Sequence, residues 1–333
     1  MLDAVSTALF SDHTDARIPG TDLCHARPLA TGTDGAPTPA TGWQARLTMR
    51  FATRATRATP ENVAPSAPAS YMAYCRHTGP LRIQKTLFPE GPRICHALIV
   101  HPPAGIAGGD TLRIGAELSP NSHAVLSTPG ATKWYKANGR RASQHVTLRV
   151  ETGARLDWLP QNNIVFDNAR ADMSVEVEVD ADASVIGWDA TLLGRQASGE
   201  TWCDADIRAG VRLRRPDGTL LWAEQAVLSS DDPIRLAAQG LDGWSSFGTL
   251  WAVAPSARGA TLHTHPALED LRATLPFDDN LRAGVTCLPN GVVLIRVTAR
   301  RMEALQQLLT TCWTALRPMI HNVPARPLRI WRT

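Results

Sequence analysis

From residue 43 the chain begins to alternate. Trp43, Ala45, Leu47, Met49 and Phe51 occupy every second position, with Gln44, Arg46, Thr48 and Arg50 between them. Side chains of a strand point to opposite faces in turn, so this pattern predicts a half-buried strand. The beat returns at Leu112, Ile114, Ala116 and Leu118, at Val146, Leu148 and Val150, and at Met173, Val175, Val177 and Val179, where Glu176, Glu178 and Asp180 face the other way. A short apolar run extends from Ile94 to Val100, and Pro216-Asp217-Gly218 and Pro289-Asn290-Gly291 supply hairpin-type turns between apolar stretches. Many strands at short spacing, continuing to about residue 297, predict a mostly β body. Ala124-Val125-Leu126, Ala154-Arg155-Leu156 and Ala183-Ser184-Val185 each follow a strand and a polar turn, their alanines 30 and then 29 residues apart. A period of this size fits stacked β layers of a β-helix-like kind, although any meander of similar strands gives the same beat.

Helical periodicity is scarce. Leu268 to Thr274 has the composition of a short helix. Met302, Leu305, Leu308, Leu309, Cys312, Trp313 and Leu316 follow the i, i+3, i+4, i+7 spacing of an amphipathic helix, with Pro318 near its natural stop. Residues 1–41, rich in Thr, Ala, Asp, Gly and Pro, predict a disordered tail, and the Pro-rich stretch 52–70 predicts a low-complexity insertion. The organisation expected is a tail over 1–41 and a single β-rich domain over 42–333.

Composition narrows the function classes. At 333 residues and 44% hydrophobic, the chain is able to bury a large core. No apolar run approaches the ~18 residues of a membrane-spanning helix, and the N-terminus lacks a secretory pattern. Asp3, Asp12, Asp15 and Asp22 argue against a transit peptide. Six dispersed cysteines with no CxxC pair suit free thiols in a reducing cytoplasm. The net charge is +3, with Lys85, Lys133 and Lys136 as the only lysines and arginines scattered among acids. Nucleic-acid binding calls for a concentrated basic face, which the sequence does not offer. Ten tryptophans predict poor solubility without a partner.

Local motifs of catalysis are missing. Gly105, Gly108 and Gly109 lack the Gly-Lys-Ser/Thr ending and the following helix of a phosphate loop, and read as a tight bend. HExxH and GxSxG do not occur. His96, His101 and Asp110 would together suit a metal-dependent enzyme on a β scaffold, the alternative reading. Two histidines five apart on one strand, however, face opposite sides. The pairs Cys75/His77 and His263/His265 lack a third ligand.

Four stretches are more specific: HPPAGIAGGD (101–110), STPGATKWYKANG (127–139), LDWLPQNNIVFDNA (156–169) and LLGRQASGE (192–200). With GPLRIQKTLFPEGP before them and RPLRIW near the end, their order resembles the urease accessory protein D family, also called H, over residues 43–52 and 79–333. The resemblance implies a β-helix-like fold with few helices and no enzymatic activity of its own. It implies partnership with F-type and G-type (GTPase) accessory proteins and with apo-urease, and help in inserting nickel, which is held at most transiently. The family usually has glycine where this chain has Ala104, a substitution expected to keep φ negative. The residues that would line a nickel path or touch a partner are Asp110, Lys133, Tyr135, Asp189, Arg195 and Glu200. Turn capping competes as a role for Asp110, and mutual pairing for Arg195 and Glu200, while Tyr135 is placed to orient Asp189 or Glu200. Asp157 reads as structural. Arg326, Arg329 and Trp331 make the C-terminal tail a candidate partner contact, against the alternative that it packs on its own domain.

Overall fold

The computed structural model describes residues 42–55 and 68–332. The expected tail over 1–41 and the centre of the 52–70 stretch lie outside these residues, and a compact unit begins at Gly42. The flanks of that stretch are strand rather than loop: β1 (Gln44–Arg54) continues into it and β2 (Ala69–Thr78) begins before its end.

The strands form two sheets. Sheet A contains β1, β2, β6 (Thr111–Leu118), β9 (Ala142–Val150), β12 (Arg170–Val179), β14 (Asp206–Arg214) and β15 (Leu220–Ser229), in the order β15-β14-β12-β9-β6-β1-β2. The main path of sheet B is built from β3 (Arg82–Leu87), β4 (Cys95–Val100), β7 (His123–Ser127), β10 (Arg155–Leu159), β13 (Ser184–Leu193), β16 (Ser246–Val253), β17 (Leu281–Cys287) and β18 (Val292–Ala299). Its order is β17-β18-β16-β13-β10-β7-β4-β3. Three short strands, β5 (Gly105–Ile106), β8 (Thr132–Trp134) and β11 (Asn163–Val165), join β13 in a ladder at one end.

The chain winds from sheet A to sheet B, through a short strand, and back to sheet A one layer on. The central pairings β1-β6-β9-β12-β14 and β4-β7-β10-β13 are therefore parallel, and antiparallel pairings flank them on both sides. This is the stacked, solenoid-like β body that the repeat suggested, with a different register. Arg155 pairs with His123 and with Ser184, so Leu156 stacks with Ala124 and Val185. Ala154 and Ala183 are equivalent positions, whereas Ala124 lies two residues out of step, because the turns between the strands differ in length.

Layering explains the hydrophobic pattern. The inward faces of the two sheets bury Leu47, Met49, Phe51, Ile114, Leu148, Leu156 and Val185 in one core. The other face of sheet B packs under the helix Met302–His321 and the short helix Pro266–Thr274, burying Ile186, Trp188, Leu309 and Trp313 in a second. Strand β13 is covered on both sides, so it is apolar almost throughout instead of alternating. On the open face of sheet A the register lines up Arg50, Glu117, Arg149, Glu178 and Arg214 across five strands. Ion pairs link Arg50 to Glu117 and both Arg149 and Arg214 to Glu178.

Two local expectations change. Trp43 lies just before β1 and is 61% exposed, outside the inward set to which alternation assigned it. The C-terminal helix runs through Pro318 and ends at Asn322 in the left-handed region. Met319, Ile320 and His321 are buried, and that packing outweighs the one backbone hydrogen bond that proline removes. No helix among the described residues is long and apolar enough to cross a membrane. Cys75, Cys95, Cys203, Cys287 and Cys312 are free thiols.

Candidate functional site

The four sequence-specific stretches meet at one end of the stack. Gly105 pairs with Lys133, Lys133 with Ile164, and Ile164 with Leu192, so each stretch supplies one rung. Tyr135 N–H donates to Ile106 O, Phe166 N–H to Trp134 O and Gly194 N–H to Val165 O, which extends the ladder beyond the strands. Trp134 is fully buried and donates Nε1–H to Asn163 Oδ1 at 3.0 Å, leaving the half-buried Lys133 and Tyr135 on the other face. A Cβ on Gly105 would lie 2.4 Å from the Tyr135 ring, so glycine is what lets this aromatic lie across the rung.

Aromatic and ionic contacts then fix this end. Tyr135 meets Phe166 edge-on at 5.3 Å, and the Arg195 guanidinium stacks over Phe166 at 4.5 Å. Arg195 and Glu200 pair with each other: Nη2–H donates to Oε1 at 2.8 Å, and the Arg195 backbone N–H donates to Oε2 at 2.9 Å. That bond holds the Glu200 carboxyl below its ordinary range and raises the Arg195 guanidinium further. The expected link from Tyr135 to Asp189 or Glu200 is not formed; Tyr135 spends its contacts on Phe166. Asp110 caps the glycine bend, accepting from Trp43 N–H at 2.7 Å and Ala107 N–H at 2.9 Å. Ala104 departs from expectation: its φ is +61°, so the bend keeps the glycine-like geometry despite the Cβ.

Asp189 lies elsewhere, in a cavity of about 700 Å³ between the sheets, lined by residues of β9, β12, β14 and β15 on one side and β13, β16, β17 and β18 on the other. Asp189 is partly buried on the cavity wall, and burial, with the nearby Glu224 charge, pushes its carboxyl up to about 7 against the opposing pull of Arg296. Glu224 and Arg296 also line the cavity and pair at 2.9 Å. Neither drew attention in the sequence. They stand on strands of opposite sheets, and only folding brings them to Asp189.

A third cluster is buried beneath the C-terminal helix. Asp157 accepts from His123 Nε2 at 3.0 Å, Trp313 Nε1 at 2.7 Å and Arg317 Nε at 3.2 Å, and His321 Nε2 stands 3.5 Å away. Ser184 Oγ is 2.8 Å from His321 Nδ1, and Glu90 bonds both His96 and Arg317. His123, Asp157 and His321 place one ligand atom each within 4.8 Å of one another, a spacing compatible with a metal ion. The donor set argues for structure instead. Both Asp157 oxygens are already engaged by N–H donors, and the buried Arg317 supplies the compensating positive charge. Burial opposes ionisation of Asp157, but the His321 and Arg317 charges and the His123 bond outweigh it and hold the carboxyl well below its ordinary range. Burial lowers His321 and takes His123 down to about 4. The cluster clamps the helix to β7, β10 and β13, as the structural reading of Asp157 implied.

The alternative metal trio is not gathered. His96 is buried against Glu90, and both Asp110 oxygens are taken by backbone N–H groups. The C-terminal tail folds back on its own body. Trp331 packs against Trp188 at 5.5 Å and Trp313 at 5.7 Å, and Arg326 donates to Pro89 O at 2.7 Å. Arg329 is exposed. Trp331 lies partly buried in the cleft between Trp188 and Trp313.

A parallel β stack with an interior carboxylate-bearing cavity and a built polar end defines a β-solenoid-like scaffold. A sequence model described as UreD urease accessory protein matches residues 34–332. The chain is 51% identical over 294 residues to the urease accessory protein UreD of Cupriavidus pinatubonensis, covering 87% of this chain and 95% of that one. It is 48% identical over 297 residues to the UreD of Ralstonia nicotianae, covering 87% and 94%. For the UreD of Bordetella pertussis the identity is 36% over 295 residues, covering 87% and 98%. The chain belongs to the UreD family of urease accessory proteins, whose role is in urease maturation.

Proposed function

We propose that this chain is a non-enzymatic urease maturation chaperone. It joins the F- and G-type accessory proteins to apo-urease and assists GTP-dependent insertion of nickel into the urease active site, in the cytoplasm and without nucleic acid or membrane. The observation that carries the reading is kinship along most of the chain with proteins named for urease maturation. The G-type partner supplies the GTPase chemistry, and nickel is cargo rather than a resident cofactor.

The residues divide between two tasks. Lys133, Tyr135, Arg195 and Glu200 form a contact surface on the end of the stack, with Asp110 holding its bend and Arg329 offering a charge on the C-terminal tail. Asp189 is the carboxylate of the cargo route. A carboxylate on a cavity wall attracts a divalent cation, while a site with few oxygen donors releases it readily.

The test is co-expression of the tagged full chain with both accessory proteins and urease subunits. The wild type is expected to recover all partners. Arg195→Glu, a charge reversal on the exposed end, is expected to lower their recovery. Asp189→Asn is expected to assemble normally and to slow urease activation at limiting nickel. Recovery of no partner by the wild type, or turnover by the isolated chain with stoichiometric tightly bound metal, would overturn the reading.

A further inference from the structure

Strand register sets a single row of side chains along the cavity wall. Asp189 of β13 pairs with Thr249 of β16, Thr249 with Arg296 of β18, and Arg296 with Gly284 of β17. Directly paired residues project from the same face of a sheet, so these positions form one line across sheet B. All four line the cavity. Adjacent strands are ~4.8 Å apart, which puts Asp189 about 10 Å inward of Arg296. Gly284 ends the row on the edge strand without a side chain.

Arg296 also crosses between the sheets. Its Nη1 lies 2.9 Å from Glu224 Oε1 on β15, the edge strand of sheet A. Ion pairs of the open face, Arg50–Glu117, Arg149–Glu178 and Arg214–Glu178, stay within sheet A. The Arg296 side chain is 61% exposed and that of Glu224 25%, so the bridge stands toward the solvent side of the cavity. Behind it, the partly buried Asp189 carboxylate lines the cavity, with Glu224 and Arg296 as its charged neighbours and, among the described residues, no hydrogen-bond donor bound to it.

We propose that Arg296 sets the divalent-cation affinity of this cavity by acting as a built-in counter-cation that competes with the metal for Glu224 and Asp189. A guanidinium stays charged at any working pH and binds carboxylate directionally, so it competes continuously with an arriving cation. With Arg296 in place, the two acids draw a cation inward and hold it loosely. Without it, two uncompensated carboxylates face one interior space and retain the ion. The inference rests on reading the cavity as the cargo route. The affinity itself is a property of this chain alone and is measurable without any partner.

The experiment is calorimetric titration of the purified full chain with Ni²⁺ alone. Arg296→Gln is expected to tighten binding about tenfold, since one unit of nearby charge is removed. Arg296→Lys, which keeps the charge, is expected to stay near the wild type. Arg296→Gln combined with Asp189→Asn is expected to lose the gain. Glu224→Gln tests the idea from the other side and is expected to bind more weakly than wild type, which keeps the proposal testable if Arg296→Gln fails to fold. Affinity in Arg296→Gln within twofold of wild type, a gain that survives Asp189→Asn, or unchanged binding by Glu224→Gln would overturn it. If these affinities behave as stated but Asp189→Asn leaves urease activation unchanged, the cargo route fails and the competition stands.

Discussion

At Ala104 the backbone φ of +61° places an L residue where the Cβ crowds the following carbonyl, at a cost of roughly 1–2 kcal/mol. The chain tolerates this because the bend is held from both sides, by Ala104 N–H donating to His101 O and by the two bonds to Asp110. Ala104→Gly is therefore expected to stabilise the protein by about 1 kcal/mol, less than the strain it relieves because glycine also loosens the unfolded chain. A urea-unfolding midpoint that does not rise would show that the strain is already relaxed. Residue-scale roles were legible in the sequence where the partners are close in the chain. The Arg195–Glu200 pair and the Ala107–Asp110 half of the cap close over few residues, and turn chemistry anticipated each as an option, whereas the bond from Trp43 to Asp110 spans 67 residues and had no local signal. The sign of φ at Ala104 was not legible, because it depends on neighbouring rungs fixing the bend. Glu224 and Arg296 carried no local signal either, since their significance comes from strand register between distant segments.

Among the elements, the C-terminal helix shows how a correct periodicity leaves a function hidden. The spacing of Leu305, Leu309, Cys312, Trp313 and Leu316 announced an apolar face, and that face is buried against sheet B. Trp313, Arg317 and His321 follow at i, i+4 and i+8 on one line of the helix and converge on Asp157 of β10. The sequence showed Arg317 only as a basic residue next to Pro318, with Glu90 and Asp157 lying 227 and 160 residues away. Its burial requires both acids: Glu90 takes the guanidinium fork and Asp157 takes Nε. Breaking a buried charge pair on one side leaves the other charge uncompensated and costs roughly 3–5 kcal/mol. Asp157→Asn keeps the shape and is expected to cost about 3 kcal/mol, because Glu90 still holds Arg317. Chemical denaturation checks the figure. A loss below ~1 kcal/mol would mean that an amide satisfies the same donors and that the charge is dispensable.

For the whole molecule, the buried titratable groups predict how stability follows pH, with opposite signs for different groups. His123 is lowered from 6.5 to about 4, and His101, His145 and His321 are also lowered, all chiefly by burial. Each stays neutral in the folded chain at pH values where the unfolded chain binds a proton. Stability is full above pH ~6.5 and is lost as pH falls toward the folded values. His123 alone contributes on the order of 3 kcal/mol to that loss. Asp189, raised to about 7, and Glu151, also raised, act in the opposite sense, since the folded chain keeps their protons longer than the unfolded one. Asp157 and Glu90 are lowered, so their stabilisation is lost only below the ordinary carboxylate range and adds to the acid limb. Between pH 6.5 and 4 the four histidines and the two raised acids therefore act against one another. The Asp189 contribution is separable in metal-free buffer. Asp189→Asn removes a group that destabilises the fold increasingly from pH 4 to 7, so its gain over wild type is expected to grow across that range. Asp189 is only partly buried, so solvent screening cuts this effect to about 2 kcal/mol at pH 7.5. Unfolding midpoints of both proteins at half-unit pH intervals decide the matter: a gain that is constant with pH would mean that Asp189 titrates normally and that the cavity is an ordinary aqueous cleft.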